Sequence, residues 1–169
     1  MATSYKEKLK KVSTFMFDVD GVFTDSKVYL LPDGNQMRSM SIRDGYAVKF
    51  AIKKGYRICI ISGGNSEAVR SRFNFLGVEE VFIDVQDKEK IYAEILDKHG
   101  LKNEEILYMG DDLPDYEVIE KAGISCCPFD AVPEILNISD YISDRKGGNG
   151  CVRDIIEQTL RVQGNWFKS

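Results

Sequence analysis

Hydrophobic residues in this chain come in two spacings. Short, mostly apolar runs stand at 14–17, 57–61, 81–83, 106–109, 124–127 and 141–142. Runs of this length, bounded by polar or turn residues, predict strands buried on both faces of a parallel sheet. Between them, apolar residues recur at helical spacing. This predicts helices at 46–54 (Ala47, Val48, Phe50, Ala51), 67–76 and 88–99 (Ile91, Ile95, Leu96). Further helices are expected from Pro114 to Gly123, at 132–136 and at 152–162, with a short helix or lead-in at 6–13. Gly55, Gly77, Gly100 and Gly123 stand where these patterns stop, as glycine does at helix ends.

One segment follows neither rule. Residues 27–31 and 36–42 are β-prone and flank Pro32-Asp33-Gly34-Asn35. Proline presets φ and glycine takes a positive φ, so this is a turn with a mechanism. It predicts a β-hairpin at 26–42, too short to be a domain. The remaining alternation of strands and helices predicts an α/β fold, a doubly wound, mostly parallel sheet, in one domain over 1–169. A C-terminal tail, 147–169, opens on a flexible loop, Gly147-Gly148-Asn149-Gly150.

Composition narrows the field. The chain has 169 residues, 30% charged and 43% hydrophobic, as in an ordinary globular domain. A net charge of -4 argues against nonspecific nucleic-acid binding. No apolar run is long enough to span a membrane, and the lysine-rich start is not a signal peptide. The four cysteines, Cys59, Cys126, Cys127 and Cys151, show no C-x-x-C spacing. They read as small hydrophobes in a reducing cytoplasm. A zinc site is not expected, and the single histidine, His99, reads as a solvated residue at a helix end.

The candidate chemistry lies just beyond the strands. The first runs into Asp18-Val19-Asp20-Gly21, two carboxylates one residue apart. Alternate residues of an extended segment share a side, about 6–7 Å apart, so these carboxylates call for a cation. Mg2+ suits oxygen ligands near phosphate. An EF-hand is excluded, because positions 6 and 12 of such a loop would be Phe23 and Tyr29. Later loops bring Ser62-Gly63-Gly64, Lys88, and Gly110-Asp111-Asp112 with Asp115. Singly, these read as an acidic turn, a helix N-cap, a solvated lysine and a second turn. Together, on the edge where α/β sheets bind ligands, they form a metal-plus-phosphate set. Asp18 and Asp111 would hold the cation, and Ser62 with the following N–H groups would bind phosphate at a helix start. Lys88 would supply a point charge, one Asp a nucleophile and the other an acid–base group.

In these residues the sequence resembles the haloacid dehalogenase-like phosphatase superfamily. Its four signatures stand in order: Asp18-Val19-Asp20-Gly21 with Thr24, Ser62, Lys88, and Gly110-Asp111-Asp112-Leu113-Pro114-Asp115. The resemblance implies Asp18 as nucleophile and Asp20 as acid–base group. It also implies Mg2+ held by Asp18, the Asp20 carbonyl and Asp111, with Asp112 and Asp115 supporting them.

Over nearly the whole chain the sequence is similar to the 3-deoxy-D-manno-octulosonate 8-phosphate phosphatases. It shares their hairpin in place of a cap domain, Arg43-Asp44-Gly45-Tyr46, and the tail from Gly147 to Arg153. That likeness implies lipopolysaccharide biosynthesis and a homotetramer whose active sites are shared between subunits. It places sugar-acid contacts on Ser41, Ile42, Arg43, Asp44, Gly45, Lys49, Gly64 and Arg72, and phosphate contacts on Asp20, Ser62, Gly63 and Lys88. One position departs: Gly64 stands where the family commonly has Arg, which opens the way to a nine-carbon 9-phosphate substrate.

A non-enzymatic phospho-switch of the response-regulator kind uses similar residues. There the phosphorylated Asp lies on a middle strand, whereas here the second long strand ends in Ser62.

Overall fold

The computed structural model describes residues 4–167. Six strands form one sheet: β1 (Thr14–Phe17), β4 (Arg57–Ile61), β5 (Glu80–Phe82), β6 (Ile106–Met109), β7 (Ile124–Cys127) and β8 (Tyr141–Ile142). All neighbouring pairs are parallel, in the order β5-β4-β1-β6-β7-β8. Growth of the sheet therefore reverses direction beside β1. Crevices at such switch points are where doubly wound sheets bind ligands.

The apolar runs form strands because both faces of the sheet are covered. Phe15 and Phe17 point into a core shared with α2 (Ile42–Lys53), α3 (Glu67–Leu76) and α7 (Cys151–Val162). Met16 points the other way, into a second core with α4 (Lys88–His99), α5 (Tyr116–Lys121) and α6 (Pro133–Ile138). The predicted hairpin is present but shorter than expected. Only β2 (Tyr29–Leu30) and β3 (Gln36–Met37) pair, antiparallel, around Gly34 at φ +85°. A short lead-in helix, α1 (Tyr5–Leu9), packs through Leu9.

Three expectations need correction. Helix α2 begins at Ile42, not at residue 46. Ser41 caps it, its hydroxyl accepting from the Asp44 N–H at 3.3 Å, so Arg43, Asp44 and Gly45 are helical rather than loop. The first turn was hidden because its one large apolar residue, Ile42, is exposed while Asp44 is buried. The helix expected from Pro114 is split into a 3-10 turn, Leu113–Asp115, and α5. His99 is not solvated; its Nε2 lies 2.9 Å from Glu80 Oε1.

The tail is tied to the front of the molecule. The Gly148 N–H donates to the Val22 carbonyl at 2.9 Å. A side chain on Gly147 would overlap the Gly21 carbonyl. The Asp44 carboxylate, fully buried, accepts from the Gly150 N–H at 3.2 Å and the Arg153 N–H at 2.8 Å. Trp166 and Phe167 stack around Phe50, while Lys168 and Ser169 of the predicted tail lie outside the described residues.

Candidate active site

Strand β1 ends at Phe17, and the Asp18 N–H still donates to the Met109 carbonyl of β6 at 3.0 Å. Asp18 is thereby pinned at the switch point. Beyond it the chain turns back, with the Val19 carbonyl accepting from the N–H groups of Val22, Phe23 and Thr24. Gly21 makes this turn at φ +88°, and any Cβ there would overlap the Asp111 carboxylate.

Lys88, the first residue of α4, is buried between two acids. Its Nζ lies 2.9 Å from Asp18 Oδ1 and 2.7 Å from Asp115 Oδ1. Asp115 is fully engaged: Oδ1 also accepts from the Tyr108 hydroxyl at 2.5 Å, and Oδ2 accepts from the Asp111 N–H at 3.1 Å. Asp111 is different. Its Oδ1 is buried with no hydrogen-bond partner among the described residues.

Oxygens of Asp18, Asp111 and Asp115 lie within 4.8 Å of one another. Partner accounting separates them. Asp115 is committed to the protein, whereas Asp111 presents an orphaned oxygen beside Asp18. An all-oxygen, acid-rich set with one unsatisfied carboxylate fits a hard divalent cation. The charges agree. Burial, then Asp115, pushes the Asp18 carboxyl well above its usual range, and Lys88 only partly offsets this. Burial, then Asp115 and Asp112, pushes Asp111 up to about 7. Burial would lower Lys88, but Asp18 and Asp115 outweigh it and hold the ammonium charged. One lysine does not balance this cluster.

Ser62 follows β4 and is buried, its hydroxyl accepting from the Gly64 N–H at 3.2 Å. Neither the N-cap reading nor the helix-start reading holds. Helix α3 begins only at Glu67, after Ser66, so Ser62 sits in a loop cradle instead. Asp18, Asp20, Ser62, Gly63, Gly64, Lys88 and Asp111 line one open cavity of about 340 Å³, with Asp112 and Asp115 at its wall. The Asp112 carboxylate caps the 3-10 turn, accepting from the Leu113 N–H at 2.8 Å.

Asp20 lines the cavity on the side that meets the hairpin. There Arg38, not anticipated from the sequence, grips it through both nitrogens of a fork: Nε to Oδ1 at 2.7 Å and Nη2 to Oδ2 at 3.2 Å. A basic residue just beyond a two-residue exposed strand carries no pattern that could have marked it.

Of the expected sugar contacts, only Gly64 lines this cavity among the described residues. Ser41 is the cap of α2, and Ile42 is 81% exposed. Arg43 lines a separate cavity with Asn149, Arg153 and Arg161. Asp44 faces the tail, its carboxyl raised by burial against the N–H groups that favour the charge. Gly45 is flush with Arg72, where a Cβ would lie 2.8 Å from Nη2. Lys49 Nζ lies 5.0 Å from the centre of the Phe75 ring. Arg72 and Ile42 border a groove of about 500 Å³ with Arg38, Met37 and Met40.

The comparison with known proteins agrees with this geometry. Residues 39–123 match the haloacid dehalogenase-like hydrolase family model. The chain belongs to that family. It is 30% identical over 164 residues to a 3-deoxy-D-manno-octulosonate 8-phosphate phosphatase, KdsC, of Salmonella typhi, covering 97% of this chain and 87% of the relative. The Escherichia coli K12 protein of the same name is 31% identical over 157 residues, 93% and 84% of the two chains.

Solved structures of the family superpose closely. The Yersinia pestis phosphatase gives a TM-score of 0.93 at 30% identity, over 95% of this chain and 86% of that one. A Moraxella catarrhalis homologue, solved with magnesium, phosphate and KDO, gives 0.92 at 29% identity, over 95% and 92%. Family membership and these relatives make the chain a phosphoric monoester hydrolase.

Proposed function

We propose that the protein is a Mg2+-dependent phosphatase of a keto-deoxy sugar acid phosphate, with 3-deoxy-D-manno-octulosonate 8-phosphate the first candidate. The orphaned Asp111 oxygen beside the Lys88-bound Asp18 carries this reading. Asp18, Asp111 and the Asp20 carbonyl would hold the Mg2+. When bound, the ion supplies positive charge to the phosphoryl oxygens.

The chain's own residues do the rest. Lys88 holds the Asp18 carboxylate in place and adds a fixed positive charge. Ser62 and the N–H groups around Gly63 and Gly64 receive phosphate oxygens. One Asp18 oxygen attacks phosphorus, the bond to the sugar oxygen breaks, and Asp20 gives that oxygen a proton. Water then attacks the aspartyl-phosphate, passing a proton to Asp20, and phosphate leaves with Asp18 restored.

Substrate choice rests on the relatives and on the groove beside the site. Gly64 leaves room at the cavity rim, which favours keeping a nine-carbon 9-phosphate as the second reading. A phospho-switch is disfavoured by the order of the loops and by the phosphatase relatives. A homotetramer is supported by the hairpin, where Tyr29 is 58%, Leu30 77% and Met37 53% exposed. All four cysteines are free and buried, which supports a reducing, cytoplasmic setting. No helix of the described residues is long and apolar enough to cross a membrane.

The test is phosphate release from octulosonate 8-phosphate, nonulosonate 9-phosphates and generic sugar phosphates, with and without Mg2+. Release that is fastest on a keto-deoxy sugar acid and abolished by chelation is expected. Equal rates on all sugars, or wild-type turnover in Asp18→Asn, would overturn the reading.

A further inference from the structure

The geometry assigns to Arg38 the role of positioning residue for the acid–base step: the hairpin reaches into the site to hold the Asp20 carboxylate. This rests on the reading of Asp20 as the acid–base group. The first observation is the fork itself, with its two bonds at 2.7 and 3.2 Å. Bidentate guanidinium–carboxylate pairs fix orientation as well as distance. The second is burial. Strand β3, which ends one residue before Arg38, is exposed, yet the Arg38 side chain is only 10% exposed, so it is turned inward onto Asp20.

The third observation is the lack of any other strong restraint. Besides Arg38, the Asp20 carboxylate has, among the described residues, only the Thr24 hydroxyl, at 3.5 Å, the outer limit of a hydrogen bond. Lys88 is committed to Asp18 and Asp115 and is not among the partners of Asp20. The fourth is Gly64. A Cβ there would lie 3.3 Å from Asp20 Oδ2 and 3.7 Å from Arg38 Nη2, so the glycine leaves the pair its space beside the Ser62 hydroxyl.

Proton delivery to the leaving oxygen, and later proton removal from water, both need Asp20 in one place. Misplacement by about 1 Å can cost on the order of 100-fold in such a step. Arg38 thus couples a hairpin that adds nothing to the sheet to both halves of the reaction, without touching the reacting phosphorus.

The test uses Arg38→Gln and Arg38→Lys in the full-length protein with Mg2+, on p-nitrophenyl phosphate and octulosonate 8-phosphate. Nitrophenolate leaves without needing a proton, so attack by Asp18 on that ester bypasses Asp20. Expected for Arg38→Gln is a burst of about one nitrophenolate per site at a near wild-type rate, then turnover slowed about 10- to 100-fold. On the sugar ester, kcat falls by a similar factor with no burst and little change in KM. Arg38→Lys, which keeps charge but not the fork, recovers part of the loss and serves alone should the glutamine variant not fold.

A burst slowed as much as turnover, a change confined to KM, or unchanged rates would each overturn the assignment. Wild-type protein that releases no phosphate from either ester would instead sink the functional reading on which it rests.

Discussion

Gly21 and Asp111 occupy adjoining space: the carboxylate lies where a side chain on Gly21 would have to go. Two constraints meet at this one position, because the backbone there is also left-handed, at φ +88°. Gly21→Ala is expected to cost about 1–3 kcal/mol from backbone strain alone. It should also displace Asp111 and weaken Mg2+ binding. Thermal unfolding and calorimetric Mg2+ titration of the variant check this; unaltered metal affinity would show that Asp111 is not a ligand.

The Asp111 carboxyl, raised to about 7 by burial and by its acidic neighbours, makes metal binding pH-dependent. The folded, metal-free protein holds this proton more tightly than the unfolded chain does. That contribution to stability is therefore present at low pH and is lost as pH rises from the ordinary Asp range through about 7. Metal binding needs the carboxylate, so Mg2+ affinity should fall about tenfold per pH unit below 7. Calorimetry between pH 5.5 and 8 reads it, and Asp111→Asn should flatten the profile.

Lys88→Met removes the one cation from a cluster of buried acids. Its loss leaves Asp18 and Asp115 facing each other with no positive partner, a buried-charge defect worth about 3–5 kcal/mol. The variant should be destabilised at neutral pH and partly recovered in acid, where Asp18, its carboxyl raised by burial and by Asp115, takes up a proton. Urea unfolding at pH 5 and pH 7.5 distinguishes this from a purely catalytic role, which would leave both midpoints unchanged.

The far end of the sheet carries a network of the opposite sign. Burial would raise Glu80, but bonds from Lys98, His99 and Cys59 outweigh it and pull the carboxyl down to about 2. Its contribution is present above the unfolded value of 4.5 and is lost as pH falls through about 2. Glu80→Gln should lower the neutral-pH melting temperature while leaving phosphate release unchanged, and flatten stability across the acid range.

Asp44→Ala would strip the acceptor from the Gly150 and Arg153 N–H groups, at about 1–3 kcal/mol for each donor left unsatisfied. Hydrogen exchange at those two amides should accelerate markedly. Asp44→Asn retains a carbonyl and should be milder. If the side chain served substrate alone, exchange would not change.

How far the chain could be read without coordinates follows from how local each signal is. Strands β1, β6 and β7 were legible because full burial leaves a mostly apolar run. Helix ends at Gly77 and Gly100 were legible because both take positive φ, at +92° and +61°. The start of α2 was not, since its buried positions include Asp44 and Gly45, which carry no apolar signal. The acid loops converge as their place after the strands suggested. Arg38 reaches Asp20 from the segment just after the exposed strand β3, and Tyr108, read as a strand hydrophobe, also orients Asp115. Such contacts depend on tertiary placement, not on spacing.

The seam between Gly147-Gly148 and the turn at 21–24 has a consequence in time. The turn at 21–24 leans on a segment synthesised long after it. While the chain is still growing, that turn has no backing, and the tail's clasp on Asp44 has not closed. Premature termination anywhere before residue 147 should yield inactive product, and a nascent molecule stays silent until that glycine pair has been made.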